Sequence, residues 1–291
     1  MDRIVFLNGE FIPENEAKIS IFDRGLLFAD SVYEGFGILD SQLVDFTYHM
    51  DRLDRSLGEL EIPSPMARDA LFAAMMRLIE VNGAVEGFMY LQVTRGERDR
   101  SYLYDADYVP NVFAFTQKEK FAADAPVKPV KLATTPDIRW ARRDIKSTNL
   151  LGQVMAKQAA SRAGAYEALM IAPDGFITEA GSSSFFFIKG RELFVRPVSN
   201  DILHGITRQT MLRVAETHQL RIREEIFTLD QALAADEAFI TASSIYVLPV
   251  NQIDDSRIGD GGVGPITAAL RSAYLELARQ EFPSPAMAAG E

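Results

Sequence analysis

The sequence predicts an α+β protein of two domains: a small N-terminal α/β domain over 1–118 and a larger C-terminal domain over 129–291 built on a mixed, barrel-like sheet. Three observations carry this. The chain has 291 residues, enough for two domains with cores of their own. Its first part reads as strands, two amphipathic helices and strands again, and its second part holds many short strands with few crossover helices. Between them, 119–128 is rich in alanine and carries Asp124 and Pro126, the composition of an interdomain linker.

Taken in order, 4–7 and 10–12 flank Asn8-Gly9, whose residues tolerate positive φ, so a hairpin is expected there. A second hairpin is expected from 35–39 to 43–46 across Asp40-Ser41. A helix follows over 49–60, with Met50, Leu53, Leu57 and Leu60 on one face and Arg52 off it. Pro63 and Pro65 separate it from a helix over 66–81, striped by Leu71, Met75, Leu78 and Ile79. Strands are expected at 88–94 and 111–117, around a polar segment. The second part opens with a strand at 130–134, then a helix over 153–163 and strands at 167–172, 176–178, 184–188 and 193–195. Helices at 205–220 and 229–234, a strand at 238–242 and a final helix at 265–281 complete it, and 283–291 reads as a frayed end.

Composition excludes several functions. Net charge of −11 argues against non-specific binding to nucleic acid or anionic membranes. No apolar run approaches the roughly 18 residues of a membrane span. The start lacks the layout of a secretory signal, and with no cysteine there is no disulfide framework, so a cytoplasmic location is expected. The three histidines share no ligand spacing, so no metal site is expected.

Chemistry concentrates around Lys146. Most of the eight lysines fall where a solvated charge is cheap. Lys146 instead lies between Ile138-Arg139-Trp140 and Leu150-Leu151-Gly152. A lysine drawn into a partly apolar pocket loses solvation of its ammonium and becomes available as nucleophile or base, as Schiff-base chemistry requires. Three segments suit a phosphate: Gly205-Ile206-Thr207 at a helix start, the hydroxyls of Thr241-Ala242-Ser243-Ser244, and Arg52 as a bidentate cation. Glu179, where a strand gives way to Gly-Ser-Ser-Ser, is placed to hold a proton on a heterocyclic nitrogen.

In this order the segments resemble the fold-type IV, pyridoxal-phosphate-dependent aminotransferases, and most of all the bacterial D-amino-acid aminotransferases. The likeness runs from Phe22-Asp23-Arg24-Gly25 through Asp30-Ser31-Val32-Tyr33-Glu34, His49-Met50-Asp51-Arg52-Leu53, Gln92-Val93-Thr94-Arg95-Gly96 and Asp137-Ile138-Arg139-Trp140. It continues through Asp144-Ile145-Lys146-Ser147, Asn149-Leu150-Leu151-Gly152 and Thr178-Glu179 to Gly205-Ile206-Thr207-Arg208.

The resemblance implies pyridoxal 5'-phosphate as cofactor, Lys146 as its Schiff-base lysine and Glu179 as partner of the pyridine nitrogen. Arg52, Ser183, Ile206, Thr207 and Ser243 would surround the phosphate, Leu203 would lie against the ring, and Tyr33 would line the substrate pocket. It further implies amino donors and 2-keto acids as substrates, and a homodimer whose site is completed by the partner subunit.

Two departures stand out. Ser184 replaces the asparagine usual after the serine run. In the loop after Thr94-Arg95-Gly96, Arg100 is kept where the D-amino-acid enzymes clamp the substrate carboxylate, but Tyr102 stands in place of a histidine. A weakened clamp predicts secondary activity on (R)-primary amines. The branched-chain L-amino-acid aminotransferases are the nearest rival, but they carry a tyrosine where this chain has Leu151. An aminodeoxychorismate lyase on the same fold, and a non-catalytic binding protein that keeps the fold, compete with it as well.

Overall fold

The structure, a computed structural model, describes residues 3–118 and 123–282. It divides into two compact units, the first being the described residues within Met1–Ala122, Ile145–Asn149 and Ala278–Glu291, the second Ala123–Asp144 and Leu150–Leu277. The short piece that carries Lys146 therefore belongs to the first unit, although its neighbours in sequence belong to the second. Residues 119–122 of the expected linker, and the expected frayed end, lie outside the described residues. Residues 123–129 form no helix or strand.

The first unit begins with β1 (Ile4–Leu7) and β2 (Glu10–Pro13), turned by Asn8 and Gly9 at φ 49° and 97°. A short helix α1 (Arg24–Phe28), capped by the Asp23 carboxylate, was not legible from periodicity, because five residues hold barely one turn. Then come β3 (Ser31–Leu39) and the two-residue β4 (Gln42–Leu43), joined through Asp40 and Ser41, both at positive φ. The helix α2 starts at Phe46, inside the expected second strand, and runs to Glu59. It is followed by α3 (Arg68–Asn82), β5 (Gly87–Thr94) and β6 (Asn111–Gln117). Among the described residues these strands form one antiparallel sheet in the order β2-β1-β6-β5-β3-β4.

Alternation divides that sheet into two faces. Met89, Leu91, Val93, Val112 and Ala114 are buried, while Tyr90, Gln92, Phe113 and Phe115 on the other face are half-buried. On β3 the same rule sends Val32, Glu34, Phe36 and Ile38 to one face and Tyr33 to the other. The helix α2 packs against β3 and buries Phe46, His49, Met50, Leu53, Ser56 and Leu57, a stripe at helical spacing. Arg52, on the flank of that stripe, is buried as well.

The second unit is built on β7 (Val130–Pro136), α4 (Leu151–Arg162), β8 (Glu167–Ile171), β9 (Ile177–Ala180), β10 (Ser184–Lys189) and β11 (Glu192–Val195). It continues with α5 (Ile206–Thr217), β12 (Arg221–Glu224), α6 (Leu229–Leu233), β13 (Glu237–Ala242), β14 (Tyr246–Ile253), β15 (Ser256–Arg257) and α7 (Pro265–Gln280). Its strands form a mixed sheet, curled as half a barrel, in the order β12-β11-β10-β13-β14-β7-β8-β9, with β15 on β14. The pairs β11–β12, β14–β7 and β7–β8 are parallel.

The sequence reading passed over β12 and β14. Pro249 lies inside β14, and proline argues against a central strand. It is tolerated because it pairs with Phe239 of β13 before the pairing with β7 begins at Val250. Phenylalanines pair on both faces of β10: Phe186 stacks on Phe239 at 4.8 Å, and Phe187 on Phe194 at 4.6 Å. Among the described residues no helix is long and apolar enough to cross a membrane.

Candidate active site

Lys146 is positioned by backbone pairing rather than by a regular element. Residues 145–148 lie along the start of β3: the Tyr33 N–H donates to the Lys146 carbonyl at 2.9 Å, and the Thr148 N–H to the Ser31 carbonyl at 3.1 Å. Val32 and Ser147 form an antiparallel bridge, and the Ser31 and Thr148 hydroxyls are hydrogen-bonded. The Lys146 N–H donates to Ser56 Oγ of α2 at 3.3 Å. Its side chain is half-buried, with Nζ 4.3 Å from the centre of the Tyr33 ring. Tyr33 in turn stacks on Tyr90 at 5.5 Å, and Tyr90 on Phe115 at 5.0 Å. Burial, with the Tyr33 hydroxyl adding to it, pushes the Tyr90 hydroxyl well above the ordinary phenol range.

On the other face of β3, Glu34 is fully buried and accepts a fork from Arg52, Nε to Oε1 at 2.8 Å and Nη2 to Oε2 at 2.7 Å. His49 Nδ1 lies 2.6 Å from Oε2. Burial pushes the Glu34 carboxyl up, but Arg52's charge and fork, helped by His49, outweigh it and hold it at about 2. His49 is held below its ordinary value, because burial outweighs the pull of Glu34. Nδ1 of the neutral ring therefore donates to the carboxylate. The arginine expected at a phosphate is thus oriented by a buried carboxylate.

The loop after β5 brings Arg100 and Tyr102 together: Arg100 Nη2 donates to the Tyr102 hydroxyl at 3.3 Å, and its guanidinium lies over the Phe28 ring at 5.0 Å. Tyr102 is 77% exposed. The loop is held by buried Arg24, whose Nη1 donates to the Ser101 carbonyl at 2.5 Å while Nε pairs with Asp30 at 2.7 Å. Asp30 is shared with Arg95.

In the second unit, Glu179 is the penultimate residue of β9 and only 5% exposed. Its Oε1 accepts from Arg139 Nη1 and, at 3.0 Å, from the Leu203 N–H. Among the described residues Oε2 has no protein partner. Burial raises the Glu179 carboxyl, Arg139 and the Leu203 N–H pull it down, Asp137 pushes it up again, and the balance stays above the ordinary range.

Nearby hydroxyls are unusual. Ser183 Oγ, Thr207 Oγ1 and Thr241 Oγ1 are all buried and make no hydrogen bond among the described residues. Ser184 pairs with Thr241 across β10 and β13, and a Cβ on Gly205 would meet Ser184 Oγ at 2.7 Å, so the start of α5 lies directly against this edge. Among the described residues no side chain caps that helix. Ile206 and Thr207 thus open a helix whose free N–H groups face no capping acceptor. Ser243 sits in the turn after β13.

The structure therefore joins Lys146 with Tyr33, Arg52 with Glu34 and Arg100 with Tyr102 in the first unit. In the second it joins Glu179 with Leu203 and brings Ser184, the neighbour of Ser183 in sequence, against the start of α5 and Thr241. Sequence reasoning gave no role to Glu34, His49, Asp137 or Arg139. Glu34 had a signal, being the one charge among the apolar alternate positions of β3.

The class IV amino-transferase family model matches residues 31–253, which include every one of these side chains. The chain belongs to the class IV aminotransferases. It is 38% identical to a D-alanine aminotransferase of Staphylococcus haemolyticus over 271 residues, covering 93% of this chain and 96% of that one. It is also 38% identical to a D-alanine aminotransferase of Bacillus licheniformis over 273 residues, 92% of this chain and 95% of that one. A T.th. branched-chain amino acid aminotransferase, solved with pyridoxamine 5'-phosphate, superposes with a TM-score of 0.86 at 26% identity, covering 97% of this chain and 96% of that one.

The family depends on pyridoxal phosphate, and the residues of this class IV aminotransferase fit that group. Three orphaned buried hydroxyls beside an uncapped helix start are unmet donors for a phosphate. A buried carboxylate with one free oxygen is an unmet acceptor for a protonated ring nitrogen.

Proposed function

We propose that this aminotransferase moves the amino group of a D-amino acid to a 2-keto acid, and accepts (R)-configured primary amines as slow secondary donors. The observation that carries this is the 38% identity, over nearly the whole chain, to D-alanine aminotransferases. The branched-chain structures, alike in fold, share only 22–26%.

In this reading Lys146 holds the cofactor as its Schiff-base lysine. Ser183, Thr207, Ser243, the Ile206 and Thr207 amides and Arg52 hold its phosphate, and Leu203 lies against the ring. Glu179 Oε2 accepts from the pyridine nitrogen and keeps it protonated. When bound, pyridoxal phosphate supplies an electron sink for the pair left behind by a departing α-proton. Lys146, with its amine free, would be the base that takes up and carries that proton. Tyr33 limits where the lysine amine can travel. Arg100 and Tyr102 meet the substrate carboxylate, which is costly to bury without such partners. The enzyme acts as a cytoplasmic homodimer, with the partner subunit completing each site.

Activity with a 2-keto acid acceptor tests this. We expect kcat/KM to be highest for D-alanine or D-glutamate, lower for (R)-1-phenylethylamine and lowest for L-leucine. A preference for L-leucine would favour the branched-chain reading instead. Amine loss that needs no keto acid would favour a lyase, and no turnover of any donor would favour a binding protein.

A further inference from the structure

Glu179 does not stand alone. The Arg139 side chain is 3% exposed and spans two carboxylates: Nε and Nη2 fork onto Asp137 at 3.0 and 2.7 Å, while Nη1 reaches Glu179. Its stem is boxed in, because a Cβ on Gly152 would meet Arg139 Cγ at 3.0 Å. The Thr178 hydroxyl donates at 2.7 Å to the same Asp137 oxygen as Nη2, and Arg143 Nε faces the other oxygen at 3.6 Å. Arg143 and Arg196 both reach the Asp201 carboxylate, at 3.3 and 3.1 Å. Burial raises the Asp137 carboxyl, but the Arg139 fork outweighs it and holds Asp137 below the ordinary range, so it is ionised. Asp137 thus pins the guanidinium, and among the described residues Glu179 is the one other carboxylate paired with it.

A buried carboxylate without such a partner takes up a proton. It would then present a hydroxyl hydrogen where an acceptor is needed. Because Arg139 and the Leu203 N–H both occupy Oε1, they also fix which oxygen remains for a ligand.

We propose that Arg139 is a positioning residue that holds Glu179 as an anion with Oε2 turned outward, so that the enzyme binds a protonated heteroaromatic nitrogen in preference to a neutral one. The inference rests on the assignment of Glu179 to the pyridine nitrogen, but Arg139's hold on Glu179 can be measured without it.

The experiment is an infrared or carbon-13 titration of cofactor-free protein labelled at glutamate, with the Glu179 signal identified by its loss in Glu179→Gln. Removing an adjacent opposite charge raises a carboxyl by about one unit or more. We therefore expect the Glu179 midpoint to rise by at least that in Arg139→Met and to return toward wild type in Arg139→Lys, which keeps the charge. An unchanged or lower midpoint in folded Arg139→Met overturns the proposal, as does an Arg139→Lys midpoint no closer to wild type than that of Arg139→Met. In the loaded enzyme, Arg139→Met should shift the pH dependence of the cofactor's visible absorption in the direction Glu179→Gln does. If Glu179→Gln leaves that absorption and the cofactor affinity unchanged while the midpoint shift is present, the pyridine assignment fails and Arg139's hold on Glu179 stands.

Discussion

Lys146 Nζ lies 4.3 Å from the centre of the Tyr33 ring, and the same two residues are tied through their backbones by the Tyr33 N–H and the Lys146 carbonyl. The ring therefore meets the amine at a position set by the strand itself. A cation over a partly desolvated aromatic face is worth about 1 kcal/mol, and Phe keeps that face while Ala does not. We expect Tyr33→Phe to retain kcat within about threefold, and Tyr33→Ala to lose about fivefold, as each 1.36 kcal/mol is a factor of ten. Equal losses in the two variants, measured by steady-state kinetics, would assign the effect to the hydroxyl instead.

The buried trio of Glu34, His49 and Arg52 makes the first unit sensitive to acid. Glu34 falls from an ordinary 4.5 to about 2 in the fold, so its contribution is complete above pH 4.5 and is lost as pH falls toward 2. His49 is lowered from 6.5, so the unfolded chain binds its proton first and stability also falls as pH drops below 6.5. The Glu34 depression corresponds to about 3 kcal/mol. Melting temperature should therefore decline from about pH 6.5 downward, and more steeply below 4.5. Glu34→Gln, which leaves Arg52 without its counter-charge, should melt lower at pH 7 and respond less to acid below 4.5. A variant as acid-sensitive as wild type would contradict this.

The orphaned hydroxyl of Thr207 separates cofactor binding from folding. A buried hydroxyl without a partner costs about 1–3 kcal/mol. Thr207→Val should therefore leave the cofactor-free protein equally or more stable while weakening pyridoxal phosphate about tenfold, the loss expected for one hydrogen bond to a charged group. Thermal melts without cofactor and a binding titration decide it. A destabilised apoprotein with unchanged affinity would show that the hydroxyl serves the fold.

Arg100 carries the formal charge of the proposed clamp, and Tyr102 offers a neutral hydroxyl beside it. Arg100→Ala should lower kcat/KM for D-alanine by about tenfold or more and leave (R)-1-phenylethylamine nearly unchanged, since only the first carries a carboxylate. An unchanged D-alanine value would direct attention to another arginine of the loop.

Much of this arrangement is visible in the chain itself. Asn8-Gly9 and the α3 stripe led directly to their elements, since positive φ and 3.6-residue spacing are local properties. The Lys146, Glu179 and Gly205-Ile206-Thr207 segments could be matched because each carries its chemistry within a few residues. What escaped was long-range. The pairing of 145–148 with β3 joins residues more than 100 positions apart. Arg139 meets Glu179 across 40 positions, and Arg52 meets Glu34 on a different element. In β14 a local rule against proline is overridden by the pairing itself, since among the described residues Pro249 pairs with Phe239 of β13 and the pairing with β7 begins at Val250.

The most direct test is to reduce the purified, cofactor-loaded enzyme with borohydride, digest it and map the modified lysine. The account predicts that the cofactor-derived mass lies on Lys146 and that Lys146→Ala abolishes transamination while the protein still folds. A modification mapped to any other lysine, together with continued turnover by Lys146→Ala, would contradict it.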